Sequence, residues 1–176
     1  MARLRKFCAY RRLKHTPYTR ISKYKKKNYV RSVPHRVTVR FDMGTRKKGF
    51  ECRLNLVSKS ALQIRHNAIE SARMTCNRLL ETRLGKNGYF LRVAMFPHHI
   101  IRENPLASGA GADRMSTGMA HSFGKPVSSA ARIKEGQRII YVDVNRQNLD
   151  LAKRALKRAA YKLPCSCFIK INESKK

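Results

Sequence analysis

Acidic side chains are scarce in this chain. Ten Asp and Glu stand against 40 Lys and Arg, for a formal charge of +30, and no acid precedes Asp42. The ten are scattered singly, so the paired carboxylates that glycoside hydrolysis needs are missing. A charge of this size destabilises a compact state by self-repulsion, which argues against a free-standing enzyme and for a polyanionic partner. Long apolar runs are also missing. No segment reaches the ~18 residues of a membrane span, and the N-terminus lacks the apolar core of a secretory signal. Its wealth of Lys and Tyr sets it apart from Ser-rich, amphipathic mitochondrial transit peptides.

Cys8, Cys52, Cys76, Cys165 and Cys167 include no CxxC pair, the spacing that lets two sulfurs share a metal or a bond. Reduced, buried thiols in a cytosolic protein are the reading that fits. In an extended segment Cys165 and Cys167 point the same way. The run Gly109-Ala110-Gly111-Ala112-Asp113-Arg114 lacks the third glycine of a dinucleotide fingerprint. Gly124-Lys125 lacks the earlier glycine and the following Ser or Thr of a phosphate loop. His98 and His99 are adjacent and, on a strand, face opposite ways. His66 and Glu70 form a helix pair too common to mean catalysis, and no serine sits in a nucleophile elbow. The sequence therefore implies no enzyme, no cofactor and no metal.

What remains is base. The first 41 residues carry fourteen Lys and Arg, with Tyr10, Tyr18, Tyr24 and Tyr29 spaced among them. Such a segment lacks the apolar residues to offset its chain entropy, and its charges repel. Nucleic-acid phosphate would neutralise it, leaving tyrosine rings to stack on exposed bases. Residues 1–36 read as a basic RNA-threading arm, 37–172 as one domain, and 173–176 as a basic tail.

Val37, Val39 and Phe41 alternate with Thr38 and Arg40, and Phe50 to Leu56 alternates likewise. Together they predict an antiparallel hairpin with a long loop. Ser60 and Gln63 have capping-box spacing, which predicts a helix from there to Leu84 with Gly85 as its stop. Its buried stripe is Ile69, Ala72, Cys76, Leu79 and Leu80, leaving Arg65, Arg73 and Arg78 outside. Tyr89 to Phe96 is a third strand, continued past Pro97 by His98 to Ile101. From Asn104 to Pro126 there is no hydrophobic period, and a break of that length is usually functional or mobile. Gln137 to Val144 is another strand. Asn148 caps a second helix that turns Leu151, Ala155, Leu156 and Ala159 inward and Lys153, Arg154, Lys157, Arg158 and Lys162 outward. Ser166 to Ile171 is a last strand. The class is α+β: two helices packed on a mixed or antiparallel sheet, with a basic N-terminal extension and a long glycine-rich loop.

Several blocks occur in order. They are Pro17-Tyr18-Thr19-Arg20, Val33-Pro34, Phe41-Asp42-Met43-Gly44, Gln63-Ile64-Arg65-His66-Asn67-Ala68 and Arg102-Glu103-Asn104. After them come Gly109 to Met115, Thr117-Gly118-Met119, Phe123-Gly124-Lys125-Pro126-Val127 and Ala130-Ala131-Arg132. Over nearly its whole length the chain resembles the universal large-subunit ribosomal protein sixteen family in its archaeal and eukaryotic form (L-ten-e). The 63–68 block looks archaeal. Ser32 replaces an expected glycine, and Ala120-His121 replaces Arg-Gly, which lowers the charge beside the loop.

The resemblance implies a non-enzymatic protein of the cytoplasmic ribosome, monomeric there and without membrane contact. It implies large-subunit rRNA, aminoacyl-site tRNA and neighbouring ribosomal proteins as partners, and a role in tRNA accommodation and late subunit maturation. A non-ribosomal RNA chaperone is the alternative that shares the charge. The candidate rRNA-binding residues are Arg3, Arg5, Arg11, Arg12, Tyr18, Arg20, Lys23, Tyr24, Lys25, Lys26, Lys27 and Arg31 of the arm, with Lys153, Arg154, Lys157 and Arg158. The loop 102–118 is expected near tRNA and the peptidyl-transferase centre, through Arg102, Asn104, Gly109, Gly111, Asp113, Arg114 and Gly118, followed by Lys125.

Overall fold

A computed structural model of the chain describes residues 4–13, 17–19, 32–46, 49–103, 109–111 and 124–173. Among them the strands are β1 (Asp42–Gly44), β2 (Cys52–Ser58), β3 (Leu62–Arg65), β4 (Tyr89–Val93), β5 (His99–Glu103), β6 (Lys125–Ile133), β7 (Arg138–Val144) and β8 (Cys167–Glu173). The long helices are α1 (His66–Leu84) and α2 (Leu149–Ala160). Strands β1-β4-β7-β2-β8 form one sheet and β3-β6-β5 a second, and every pairing is antiparallel. The fold is α+β, with two sheets where the sequence suggested one. Helix α1 packs on β3, β4 and β6, and α2 on β2, β7 and β8, while the helices also meet each other. Leu54, Ile64, Ile69, Cys76, Leu91, Ile133, Val142 and Leu156 from both sheets and both helices share one core.

The expected hairpin does not form. β1 begins at Asp42 and pairs with β4, while β2 lies between β7 and β8. The phase is inverted at residues 37–39, while Arg40 is exposed and Phe41 packs on the core as expected. Val37 and Val39 are 47% and 76% exposed, and Thr38 is buried because its hydroxyl donates to the His66 carbonyl at 3.0 Å. In that short segment one satisfied hydroxyl outweighs two valines. Strand β2 is buried at every position from Leu54 to Ser58 and lies inside the sheet, flanked by β7 and β8.

Helix α1 also starts later than the capping-box spacing suggests. Residues 62–65 are strand β3, and Arg65 stands extended at the helix start with no side-chain cap. Gln63 cannot reach back to Ser60, because its amide nitrogen donates to the carbonyls of Tyr10 at 3.0 Å and Arg12 at 2.8 Å. The helix end is as expected: Gly85 takes φ +65° and donates to the Glu81 carbonyl at 3.0 Å. Arg73 is not a surface cation. It forks onto Glu70, with Nε to Oε2 at 2.9 Å, and its side chain is only 14% exposed.

The third strand ends at Val93, short of the expected Phe96, and residues 94–98 separate it from β5. His98 N–H closes a tight turn on the Phe96 carbonyl at 2.9 Å, and β5 leaves for the small sheet. Strand β6 fills 125–133, where the sequence showed no strand signal. On α2, Ala152 is buried in place of Leu151, and Asn148 precedes the helix without a side-chain cap.

Gly44 has φ +79°, and a Cβ there would lie 2.2 Å from the Tyr89 carbonyl oxygen. Backbone strain and the clash add, so Gly44→Ala should cost about 2–4 kcal/mol. Equilibrium unfolding in denaturant measures it. An unchanged midpoint would contradict the β1–β4 geometry.

Candidate nucleic-acid interface

The small sheet gathers the arm and the base of the glycine-rich loop onto one platform. Gln63 N–H donates to the Arg11 carbonyl at 3.3 Å, adding to its two side-chain bonds to the arm. Arg65 Nη1 donates to the Arg5 carbonyl at 3.0 Å. Tyr18 N–H donates to His99 Nδ1 at 2.8 Å, and Ile100 N–H returns a bond to the Tyr18 carbonyl at 2.8 Å. The backbone of the arm's described residues 4–13 and 17–19 is therefore held by protein at Arg5, Tyr10, Arg11, Arg12 and Tyr18, although the arm's composition suggested that only an anion could order it. Among the described cations there, Lys6, Arg11 and Arg12 are exposed.

Two contacts tie this arm to the loop's first stalk. Arg5 pairs with Glu103, the last residue of β5. The Arg102 guanidinium lies 3.6 Å from the centre of the Tyr18 ring. Arg102 thus occupies one face of a tyrosine expected to stack on a base. Lys125 opens β6 opposite Glu103 in the ladder and is exposed, forming the second stalk. Gly109 and Gly111 take φ +132° and +78°, with nothing within 4 Å of a built Cβ. Left-handed backbone in open space lets the chain come close to a ligand surface.

Helix α2 exposes Arg154, Lys157 and Arg158, whereas Lys153 is half-buried and reaches Asp150 at 3.3 Å. Arg158 meets Arg78 and Arg83 of α1 along an open groove also lined by Asn77, Glu81 and Thr82. This basic groove between helices was only half visible in the sequence. A third basic surface was missed. Arg53 and Arg138 each lie 4.7 Å from the Tyr141 ring centre, and Arg53 forks onto Asp143 at 2.7 and 2.8 Å. The ladder brings Arg92 opposite Tyr141 and Lys170 opposite Asn55. The signal was there in the polar phase of each strand, but only the register places the cations together.

Arg3, Arg20, Lys23, Tyr24, Lys25, Lys26, Lys27, Arg31, Asn104, Asp113, Arg114 and Gly118 lie outside the described residues. Among the described residues, no three His, Cys, Asp or Glu side chains stand close enough to hold a metal ion, and no helix is long and apolar enough to cross a membrane.

Burial, then the charges of Arg132 and Arg102, pushes His99 down to about 4. The neutral ring fits its role as acceptor from Tyr18. The unfolded ring takes up a proton below about 6.5, so this stabilisation is complete above that pH and is lost as pH falls towards 4. The amide protection of Ile100, read by hydrogen exchange, should weaken over that window. In His99→Asn, whose side-chain oxygen still accepts, the pH dependence should vanish; the same acid profile in both proteins would contradict it.

The sequence profile for ribosomal protein L16p/L10e matches residues 14–170. A relative named large ribosomal subunit protein uL16, from Methanococcus maripaludis strain S2, is 44% identical over 172 residues, covering 98% of this chain and 96% of its own. The protein of that name from Picrophilus torridus is 44% identical over 161 residues, 90% of this chain and 92% of its own. That from Archaeoglobus fulgidus is 46% identical over 148 residues, 84% and 82%.

Proposed function

The chain belongs to the ribosomal protein L16p/L10e family, a structural, non-enzymatic component of the cytoplasmic ribosome, and from that premise we propose how it works in the large subunit. The arm and the α2 stripe bind large-subunit rRNA. The loop from Arg102 to Gly118 approaches aminoacyl-site tRNA near the peptidyl-transferase centre. The protein acts there as a monomer beside other ribosomal proteins, supporting tRNA accommodation and late maturation. The observation that carries this reading is the shared platform. One small sheet holds the arm by its backbone, through Gln63, Arg65 and Ile100, and launches the loop from Glu103 and Lys125. Phosphate contacts position a protein on RNA without specifying sequence. An arm held by its main chain at Arg5, Tyr10, Arg11, Arg12 and Tyr18, with Lys6, Arg11 and Arg12 exposed, suits that task, and its ties to the stalk transmit the position to the loop.

Co-sedimentation tests the ribosomal role. The protein should track large subunits stoichiometrically through a high-salt wash. A general RNA chaperone would wash off and distribute over all RNA, and that result would overturn the reading.

A further inference from the structure

We propose that Cys165 and Cys167 form a reversible dithiol–disulfide site, oxidised by low-molecular-weight disulfides of the glutathione class. Cys165 lies in the bend that follows α2, and Cys167 opens β8. Their Sγ atoms are 3.4 Å apart. Contraction to a bonded distance of about 2.05 Å asks for a movement on the order of an ångström. Both thiols are partly exposed, whereas Cys52 and Cys76 are buried. Burial pushes the Cys76 thiol up to about 12, which leaves it inert.

The two sulfurs have different roles. The Cys167 thiol reaches Cys165 Sγ and also the Cys165 carbonyl at 3.6 Å. The Ser58 hydroxyl also stands beside Cys165, with its own proton on the Ser60 carbonyl at 2.7 Å. The Cys167 thiol beside it brings the Cys165 thiol down to about 7 against the opposing effect of burial. Cys167 is pushed up by the same bond, by burial and by the neighbouring charge. The Cys165 carbonyl accepts the Cys167 proton, which makes Cys167 the resolving thiol and leaves Cys165 to attack.

The Cys165 thiolate attacks one sulfur of the small disulfide, forming a mixed disulfide and expelling a small thiolate. That thiolate takes the Cys167 proton. Cys167 then attacks Cys165 Sγ and expels the second small thiolate. Two protein thiols are oxidised, and one small disulfide is reduced to two thiols. A ring this short closes too little chain to stabilise the fold. It also strains its own bond, which makes it readily reducible. The site is therefore a switch and not a staple. It acts on the edge strand of the large sheet, where Cys167 pairs with Ser58 and Lys59 N–H donates to the Ser166 carbonyl at 3.0 Å.

Cleavage after Lys162 and Lys170 isolates both cysteines in one peptide. Full-length protein is equilibrated with graded ratios of reduced to oxidised glutathione, then alkylated and analysed by mass. The peptide should lose both alkylation sites together and two hydrogens, carry no glutathione, and recover fully on reduction. In Cys167→Ser, Cys165 should retain one glutathione. A wild-type peptide that keeps both thiols at every ratio, or accumulates glutathione, would overturn the proposal, as would an unmodified Cys165 in the variant.

Discussion

Large subunits carrying a chain in which residues 104–118 are replaced by a short Gly-Ser linker should contain the protein in full amount and still bind aminoacyl-site tRNA at least about tenfold more weakly. Tenfold corresponds to the loss of one charge-assisted contact of about 1.5 kcal/mol, and Arg114 lies within the removed segment. Glu103 stays, because it pairs with Arg5 and faces Lys125 in the ladder. The fold should tolerate the change. The segment's sizeable apolar residues are Leu106 and Met115, and loop-closure entropy varies only slowly with loop length. Filter binding of aminoacyl-tRNA to fully loaded mutant subunits measures the effect. Normal binding and normal translation would defeat the assignment of the loop to tRNA. A purified variant that fails to fold would defeat it differently, by placing the loop in the core.

The second large effect is electrostatic. If about ten of the arm's cations meet phosphate, affinity for large-subunit rRNA should fall by about three to five orders of magnitude between 50 and 200 mM salt. Replacing Lys23, Lys25, Lys26 and Lys27 by Gln should flatten the plot of log affinity against log salt by about three to four, slightly under one per lost contact. The contacts through which Gln63, Arg65 and Ile100 hold the arm are made to Arg5, Tyr10, Arg11, Arg12 and Tyr18, none of which is replaced, so the protein's stability should be unchanged. An unaltered salt slope would mean that this run is a solvated face and that other cations carry the binding.

Much of the fold could be read from periodicity, for physical reasons that also explain the failures. The stripe Ile69, Ala72, Cys76 and Leu80 and the strands around Leu91 and Val142 were legible because long elements with one buried face repeat their signal. Strand β6 was illegible. Ser128, Ser129, Ala130 and Ala131 have little strand propensity of their own, and the segment is strand because β3 and β5 pair with it on both sides. The hairpin failed because its two strands find partners distant in sequence, β4 for β1 and β7 and β8 for β2, and Thr38 faces inward for a hydrogen bond that no hydropathy pattern encodes. In the interface, charge alone pointed to the arm and to Arg154, Lys157 and Arg158. It could not show that Gln63, read as a helix cap, instead clasps the arm. Nor could it show Arg102 stacked on Tyr18, or Arg53, Arg92, Arg138 and Lys170 gathered by the register of the large sheet. Those are contacts between residues distant in sequence, and a single chain carries no local signal of them.

The central claim is that one protein platform fixes a basic arm on rRNA and a loop near tRNA. Ultraviolet crosslinking of purified large subunits carrying aminoacyl-tRNA, followed by mass analysis of the crosslinked peptides, tests it most directly. The account predicts large-subunit rRNA on peptides of the arm and of residues 153–158, and tRNA or peptidyl-transferase rRNA on peptides spanning 109–118. Crosslinks from 109–118 only to RNA remote from the tRNA sites, or an arm that crosslinks to no RNA while the protein is fully bound, would contradict it.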